Sequence, residues 1–217
     1  LSFLQHKYFY RYAHERMYSM DKTNNYIKLC GEMVSKPEYS HSGKFEKFYT
    51  FPLSVLRLSG AADRINIILR EELLQKEIGD GDHICVEGEI HSFNNKSGVG
   101  NKLVISVLAR DIYVTDEGDL NQVELYGTLC KKPNFRVTPM GREICDMMLA
   151  VNRKYGKSDY LPCIAWGRLA KIASQWDVGK EIHISGRLQS RCYIKTEGDQ
   201  QIEKTAFEIS AAFIEEI

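Results

Sequence analysis

The segment that decides the fold runs from Tyr160 to Leu188 and reads YLPCIAW, GRLAKIASQW, DV and GKEIHISGRL. Its first and last parts are short apolar runs bounded by turn-forming residues, which favours β-strands. Between them Leu169, Ile172, Ala173 and Trp176 follow the i, i+3, i+4, i+7 spacing of a helix. The segment therefore predicts a strand, a helix over 168–176 and another strand.

The same unit occurs twice along the chain. Ile27–Met33 (IKLCGEM) returns 96 residues later as Val123–Leu129 (VELYGTL), and Gly81–Ser92 matches Gly179–Ser190 at an offset of 98. Self-similarity of this kind indicates a duplicated structural unit. The acidic, glycine-containing segment at 116–119 suits a linker between the two copies.

Each copy reads as five short strands. In the second copy apolar alternation marks 123–129, 144–151, 161–165, 182–188 and 207–213, with the helix after the third strand. This is the layout of an OB-fold, a small Greek-key barrel. The predicted class is all-β with two tandem OB-folds, the first having its helix at Arg70–Ile78. The predicted division is an N-terminal extension at 1–19, a degenerate OB-fold at 20–115, a linker at 116–120 and a second OB-fold at 121–217. Residues 1–19 are either an extension before a start near Met17 or Met20, or a short helix that packs elsewhere.

Composition limits the function classes. The 217 residues carry no net charge, with 27% charged and 43% hydrophobic residues, which is ordinary for a soluble globular protein. No apolar run approaches the ~20 residues of a membrane span, and the first residues lack the apolar core of a signal peptide. We therefore expect a cytoplasmic protein.

Motifs for catalysis or metal binding are not apparent in the sequence. The six cysteines contain no CxxC pair and the six histidines no ligand-like spacing, so we expect reduced, buried thiols, no metal and no cofactor. Sequences typical of nucleotide binding, hydrolysis or metalloprotease activity are also missing, which predicts a non-enzymatic protein. The carboxylates are interpreted as solvated surface charge.

The strand at Tyr160–Trp166 suggests a binding face. Alternation places Leu161, Cys163 and Ala165 inside the barrel, so Tyr160 and Trp166 must lie outside. Tyr155 and Tyr193 lie near the ends of neighbouring strands. Exposed aromatic residues among cations are suited to single-stranded nucleic acid, since bases stack on rings and phosphates pair with cations. The cationic residues around the four rings are Arg142, Arg153, Lys154, Lys157, Arg168, Arg187, Arg191 and Lys195. The alternative is that the rings belong to a core or a dimer interface and the cations to ordinary surface.

Charge alone does not identify this function. Residues 121–217 hold 14 basic and 12 acidic residues. That excess is too small to indicate nucleic-acid binding. Local clustering of the cations has to supply the attraction.

Residues 121–214 resemble the bacterial single-stranded DNA-binding protein family. The resemblance rests on the opening NQVELYGTL at 121–129, then Lys132-Pro133, FRVTPMG at 135–141, WGRLAKIA at 166–173 and GKEIHISGRL at 179–188. It implies largely sequence-independent binding of single-stranded DNA in replication, repair or recombination. The four family stacking positions are Tyr155, Tyr160, Trp166 and Tyr193 in this sequence. Some members carry two OB-folds and pair as dimers, so the resemblance also implies a homodimer.

The first copy follows the family only in outline. Offsets of 97 and 98 place Leu58, Asp63, Leu69 and Asn95 at the stacking positions, so that face is not expected to stack bases. The aromatic residues Phe48, Tyr49, Phe51 and Phe93 either build a different stacking platform or, as is more usual for aromatic residues in alternating strands, belong to the core. This copy is either kept for dimerisation or extends the binding groove. The sequence ends at Ile217 without the family's acidic recruitment tail, so recruitment through such a tail is not expected.

Two other functions stay open at this stage. One is an accessory protein of a primosome or mobile element, in which the OB-folds mainly hold protein partners. The other is an RNA-binding module or a subunit of a nucleic-acid enzyme.

Overall fold

The computed structural model describes residues 23–75, 78–96, 101–154, 156–197 and 200–217. The N-terminal extension predicted at 1–19 lies outside them. In the described residues no helix is long and apolar enough to cross a membrane.

The first unit is a closed barrel of short strands. Its elements are β1 (Asn25–Met33), β2 (Glu38–Ser42), β3 (Lys47–Leu56), β4 (Ala62–Arg70), a 3₁₀ helix (Glu71–Gln75), β5 (His83–Asn94) and β6 (Leu103–Val114). Strand β1 pairs with β3 and with β5, β3 with β4, β4 in parallel with β6, and β6 with β5. This closure is that of an OB-fold, to which β2 adds a hairpin with β3.

The second unit repeats the same connections. Its elements are β7 (Leu120–Leu129), β8 (Asn134–Val137), β9 (Glu143–Asn152), β10 (Ser158–Trp166), α1 (Arg168–Ala173), β11 (Glu181–Glu197) and β12 (Gln200–Glu216). Strand β7 pairs with β9 and β11, β9 with β10, β10 in parallel with β12, and β12 with β11. The predicted class of two tandem OB-folds is confirmed.

The two barrels share one continuous sheet. Strand β1 pairs antiparallel with β7, from Asn25 opposite Leu125 to Cys30 opposite Leu120. The sheet therefore runs from one barrel into the other through the first strand of each.

The core follows from alternation along each strand. On β1 the side chains of Ile27 and Leu29 are buried, and on β10 those of Leu161, Cys163 and Ala165 are buried as predicted. Both barrels have the same glycine bulge, which lies on β5 in the first barrel and on β11 in the second. A Cβ at Gly88 would lie 2.2 Å from the carbonyl oxygen of Leu108, and one at Gly186 would lie 2.2 Å from that of Ser210. Only glycine permits such a close approach of the last strand.

The helices are shorter than the sequence pattern indicated. The first is a 3₁₀ turn at Glu71–Gln75 where a helix over 70–78 was expected, and α1 ends at Ala173 where the apolar spacing continued to Trp176. Trp176 is nevertheless buried, because the turn after α1 returns its ring to the core. Apolar spacing thus predicts burial more closely than it predicts helical length.

The expectation that all cysteines are reduced is wrong for one pair. Cys30 on β1 lies directly opposite Cys85 on β5, and their sulfur atoms form a disulfide. The other four cysteines, Cys130, Cys145, Cys163 and Cys192, are free thiols. The two residues are separated by 55 positions in sequence. Their proximity depends on the strand register, which the spacing of cysteines does not show.

Candidate nucleic-acid interface

Strand β10 presents two aromatic side chains to solvent. Tyr160 is 50% exposed and Trp166 is 37% exposed, whereas Leu161 between them is fully buried. The intervening outward position Ile164 is covered at 4% exposure. The strand pairs with β9 along its whole length but with β12 only at Cys163 and Ile164, so Pro162 lies where the missing N–H is tolerated at a free edge. The two rings therefore lie exposed at the two ends of the outward face of β10, whose middle is covered at Ile164.

The third predicted ring lies on the long β11–β12 hairpin. Tyr193 is half-buried, and the guanidinium carbon of Arg191 lies 5.8 Å from the centre of its ring. Arg191 also pairs with Glu208 at 3.1 Å. Tyr155, the fourth predicted ring, lies outside the described residues. Three of the four rings can therefore be located, and two of these are well exposed.

Most of the predicted cations lie at the surface. Those with exposed side chains are Arg142, Lys154, Lys157, Arg168, Arg187 and Arg191. The side chain of Lys195 is outside the described part of the structure. Arg187 donates to the side-chain oxygen of Gln189 at 3.2 Å from Nη2 and 3.3 Å from Nε. Five of these side chains are exposed without an ion pair to a buried carboxylate among the described residues, whereas Arg191 pairs with the buried Glu208.

Arg153 differs from the other predicted cations. Its Nε donates to Oδ2 of Asp159 at 2.6 Å, and its Nη2 donates to the carbonyl oxygen of Ser92 at 3.1 Å. Asp159 is fully buried. The guanidinium of Arg153 is therefore engaged by Asp159 and Ser92 while its side chain stays 30% exposed, and its contact with phosphate stays a prediction.

The surroundings of Asp159 keep it ionised. Burial by itself would raise the pKa of this carboxyl, but hydrogen bonds from His91, Arg153 and the backbone N–H of Ser92 lower it to about 2. Asp63 in the first unit is also fully buried, and its pKa is lowered by bonds from Arg57 and Ser190 that outweigh burial. Interpreting all carboxylates as solvated surface charge is wrong for these two residues and for Glu124 and Glu208, which are also buried. Alternation puts both aspartates on the core-facing side of their strands, which is a sign of burial in the sequence. Their serine partners come from the other unit and cannot be found from the sequence.

The strand register corrects the correspondence between the two units. Val55 lies opposite Asp63 on β4 as Val151 lies opposite Asp159 on β10, so the offset along this strand is 96. The expected offset of 97, which placed Leu58, Asp63 and Leu69 at stacking positions, is wrong by one residue. Arg64 and Arg70 correspond to Tyr160 and Trp166. The first unit thus carries guanidinium groups where the second carries aromatic rings.

The aromatic residues of the first unit divide between core and surface. Phe51 is in the core, Tyr49 packs against the core, and Phe48 is half-buried with its ring stacked on His41 at 4.8 Å. Phe93 is 52% exposed, which differs from the expected core position. Sequence reasoning missed Tyr39 and Phe45, which lie exposed on the β2–β3 hairpin and its turn. A lone ring in a glycine- and lysine-rich turn is the signal that could have found Phe45.

One group of candidate metal ligands occurs among the described residues. It consists of Cys30, Cys85 and Glu117, whose ligand atoms lie within 4.8 Å of one another. Because the two sulfur atoms are bonded to each other, they do not provide thiolates, the form in which cysteine binds metals. Cys30 and Cys85, which are joined in a disulfide, therefore do not fit a metal ion.

Comparison with known proteins agrees with this geometry in the second unit. The sequence profile of the single-strand binding protein family matches residues 120–216. The single-stranded DNA-binding protein of Clostridium tetani is 36% identical over 89 residues, which cover 38% of this chain and 61% of that protein. Single-stranded DNA-binding protein B of Bacillus subtilis is 35% identical over 85 residues, which cover 36% of this chain and 75% of that protein.

Among solved structures, the wild-type single-stranded DNA-binding protein from Thermus aquaticus has the same fold. The two superpose with a TM-score of 0.71 at 24% identity, over 89% of this chain and 92% of that one. The chain spans about three fifths of the length of the first curated relatives, as the 61% coverage of the Clostridium protein illustrates. With a profile that matches the whole second barrel and a relative matched over three quarters of its length, the chain belongs to the single-strand binding protein family.

Proposed function

We propose that this chain binds single-stranded DNA without catalysing a reaction and with little sequence preference. The observation that carries the proposal is the exposure of Tyr160 and Trp166 on one face of β10, inside the part of the chain that matches the family. Bases stack on exposed rings whatever their sequence, and the surrounding cations add phosphate contacts. Relatives named single-stranded DNA-binding proteins support this function.

The contributing residues are those of the second barrel. The proposed stacking residues are Tyr155, Tyr160, Trp166 and Tyr193. The proposed phosphate contacts are Arg142, Lys154, Lys157, Arg168, Arg187, Arg191 and Lys195. The division into units at 20–115 and 121–217 with a linker at 116–120, a homodimeric assembly, a cytoplasmic location and a role in replication, repair or recombination belong to the same proposal.

Binding of a labelled oligo(dT) tests this function directly. We expect saturable binding whose affinity falls steeply as salt concentration rises, because neutralised phosphates release counterions. Unlabelled oligo(dA) should compete nearly as well as oligo(dT), since stacking needs no particular base. Failure to bind any single-stranded DNA at low salt would overturn the proposal.

RNA is the second candidate ligand that the same surface favours, because a stacking face does not select deoxyribose by itself. Sequence-tolerant stacking accepts either backbone, and discrimination requires contacts to the 2′-hydroxyl. Competition by poly(U) against labelled oligo(dT) separates the two. Stronger competition by poly(U) than by poly(dT) would assign the protein to RNA.

A further inference from the structure

Two matched clusters join the barrels at the strands that carry the proposed stacking residues. Each cluster consists of an arginine and an aspartate from one unit and a serine from the other unit, which lies on β5 in the first unit and on β11 in the second. We call them the Ser190 clamp, formed by Arg57, Asp63 and Ser190, and the Ser92 clamp, formed by Arg153, Asp159 and Ser92. The arginine and aspartate correspond at an offset of 96 and the serines at an offset of 98, as in the rest of the repeat.

In the Ser190 clamp the first unit holds the β11 strand of the second. Oδ1 of Asp63 accepts hydrogen bonds from the backbone N–H and the hydroxyl of Ser190, both at 2.7 Å. Arg57 donates from Nε to Oδ2 of Asp63 at 2.7 Å and from Nη2 to the carbonyl oxygen of Ser190 at 2.6 Å. Every polar group of Ser190 is therefore bonded to Arg57 or Asp63.

In the Ser92 clamp the second unit holds β5 of the first. Asp159 accepts from the backbone N–H of Ser92, while Arg153 donates both to Asp159 and to the carbonyl oxygen of Ser92. The hydroxyl of Ser92 accepts from the backbone N–H of Tyr160 at 2.8 Å. His91 Nδ1 lies 3.1 Å from Oδ2 of Asp159. The Ser92 clamp thus includes a hydrogen bond from the backbone of Tyr160, a proposed stacking residue.

The position of the clamps along the chain gives them a role beyond joining the barrels. Asp159 directly precedes Tyr160, Arg153 is two residues before Tyr155, and Ser190 is three residues before Tyr193. Charge-assisted hydrogen bonds fix direction as well as distance. Besides the Arg153–Asp159 pair, their partners Ser92, Asp63 and Arg57 lie in the first barrel. The strand β4 of that barrel carries Arg64 and Arg70 at the places that correspond to Tyr160 and Trp166.

We propose that the first OB-fold positions the stacking residues of the second through these two clamps, with Ser92 and Asp63 acting as positioning residues for Tyr160 and Tyr193. This inference rests on the proposed function, because it assigns a task to the first barrel within single-stranded DNA binding. A ring held in place before DNA arrives loses less conformational freedom on binding, which increases affinity. The first barrel thereby contributes to binding, although its strand β4 carries no aromatic ring at the positions that correspond to Tyr160 and Trp166.

A double-mutant cycle in the full chain tests the Ser92 clamp. Ser92→Ala removes the acceptor for the N–H of Tyr160, and we expect oligo(dT) affinity to fall about three- to tenfold, the effect of one net hydrogen bond. In a Tyr160→Ala background the same substitution should change affinity less than about twofold, because coupled residues are not additive. Ser92→Thr, which keeps the hydroxyl, should restore wild-type affinity.

Glu124→Gln provides the matched control, because Glu124 is a buried carboxylate hydrogen-bonded to His183 and Ser185 within the second barrel, outside both clamps. It should lower the melting temperature and leave oligo(dT) affinity unchanged. Three results would each overturn the positioning role. They are an equal loss of oligo(dT) affinity from Ser92→Ala in both backgrounds, no loss of affinity in the wild-type background, and a loss of the same size from Glu124→Gln.

If the Ser92→Ala protein does not fold, a second double-mutant cycle that combines Ser190→Ala with Tyr193→Ala provides an independent test. The same non-additivity is expected, and additive losses would overturn the role of the Ser190 clamp. Wild-type binding of oligo(dT) is measured first in both cycles. Its absence refutes the proposed function, whereas its presence with additive cycles refutes only the clamps.

Discussion

Tyr160 and Trp166 differ from the core aromatic residues of the chain in where their rings lie. Phe51 and Trp176 are buried at 1% and 9% exposure, and their burial is explained by packing in the two barrels. The rings on β10 remain open to solvent although leaving them exposed gains no hydrophobic stabilisation. These two exposed rings are the basis of the proposed stacking face.

Replacing either ring tests that conclusion at the level of one residue. Tyr160→Ala and Trp166→Ala should each weaken oligo(dT) binding by about 1–3 kcal/mol, the contribution of one stacked base. Fluorescence anisotropy with a labelled oligonucleotide measures the change. Val178→Ala, which removes another exposed apolar side chain, serves as control and should leave affinity unchanged. Unaltered affinity in both ring variants would contradict the stacking face.

Arg153 and Lys157 lie close in sequence but should behave differently. Arg153→Ala leaves the buried carboxylate of Asp159 without its ion-pair partner, which costs about 3–5 kcal/mol of folding free energy. Lys157→Ala should leave stability unchanged and reduce the logarithmic salt slope of binding by about 0.7, the effect of one lost phosphate contact on a single strand. Thermal denaturation and salt titration distinguish the two. An Arg153→Ala protein as stable as wild type would contradict the clamp geometry.

A histidine and two glutamates form a network between strands β7, β11 and β12. His183 on β11 lies 2.7 Å from Oε2 of Glu124 on β7 and 3.0 Å from Oε1 of Glu215 on β12, and its ring stacks on Tyr126 at 4.3 Å. Burial alone would lower the pKa of His183, but the bonds to Glu124 and Glu215 outweigh it and raise the pKa. Protonated His183 therefore stabilises the folded barrel.

The pH dependence of stability follows from that direction. Because the folded pKa is raised, the contribution is fully present below the unfolded value of about 6.5 and is lost as pH rises through the folded pKa. The difference in melting temperature between wild type and His183→Gln should thus shrink between mildly acidic and alkaline pH. Differential scanning calorimetry measures it. A difference that grows with pH would contradict the raised pKa.

The disulfide between β1 and β5 makes a prediction for the first barrel. Closing a loop over the 55-residue separation of Cys30 and Cys85 should stabilise the fold by about 4 kcal/mol in the chain-entropy description. Reductant should therefore lower the melting temperature of the wild type. A Cys30→Ser, Cys85→Ser double variant should not respond to reductant. Six titratable thiols in the denatured, unreduced protein would show that the disulfide is not formed.

Local patterns located the five barrel strands of the second unit, but they did not give the helix lengths, the extra strands β2 and β8, or the alignment of the two units. Alternation along 161–165 placed each of these side chains correctly except Ile164, which is covered although it points outward. Glycine and proline matches showed the duplication, yet the third strand has no such marker, and the correspondence was wrong there by one residue. A shift by one residue exchanges the two faces of a strand. This is why Asp63 was assigned to a surface position that Arg64 occupies.

At the level of the whole molecule, the two barrels are joined through a shared sheet and two buried ionic clusters. The pairing of Asp63 and Asp159 with serines could not be recognised from the sequence, since Ser190 and Ser92 lie 127 and 67 residues away along the chain. The Cys30–Cys85 disulfide was missed for the same reason. Contacts between distant strands depend on register, which single-sequence patterns do not provide.

The most direct test of the central claim is the emission of Trp166 during titration with unlabelled oligo(dT). The chain has two tryptophans, and Trp176 is buried. We therefore predict saturable quenching in the wild type that disappears in a Trp166→Phe variant. Quenching that persists in that variant, or oligo(dT) binding that leaves the wild-type emission unchanged, would contradict a stacking face on β10.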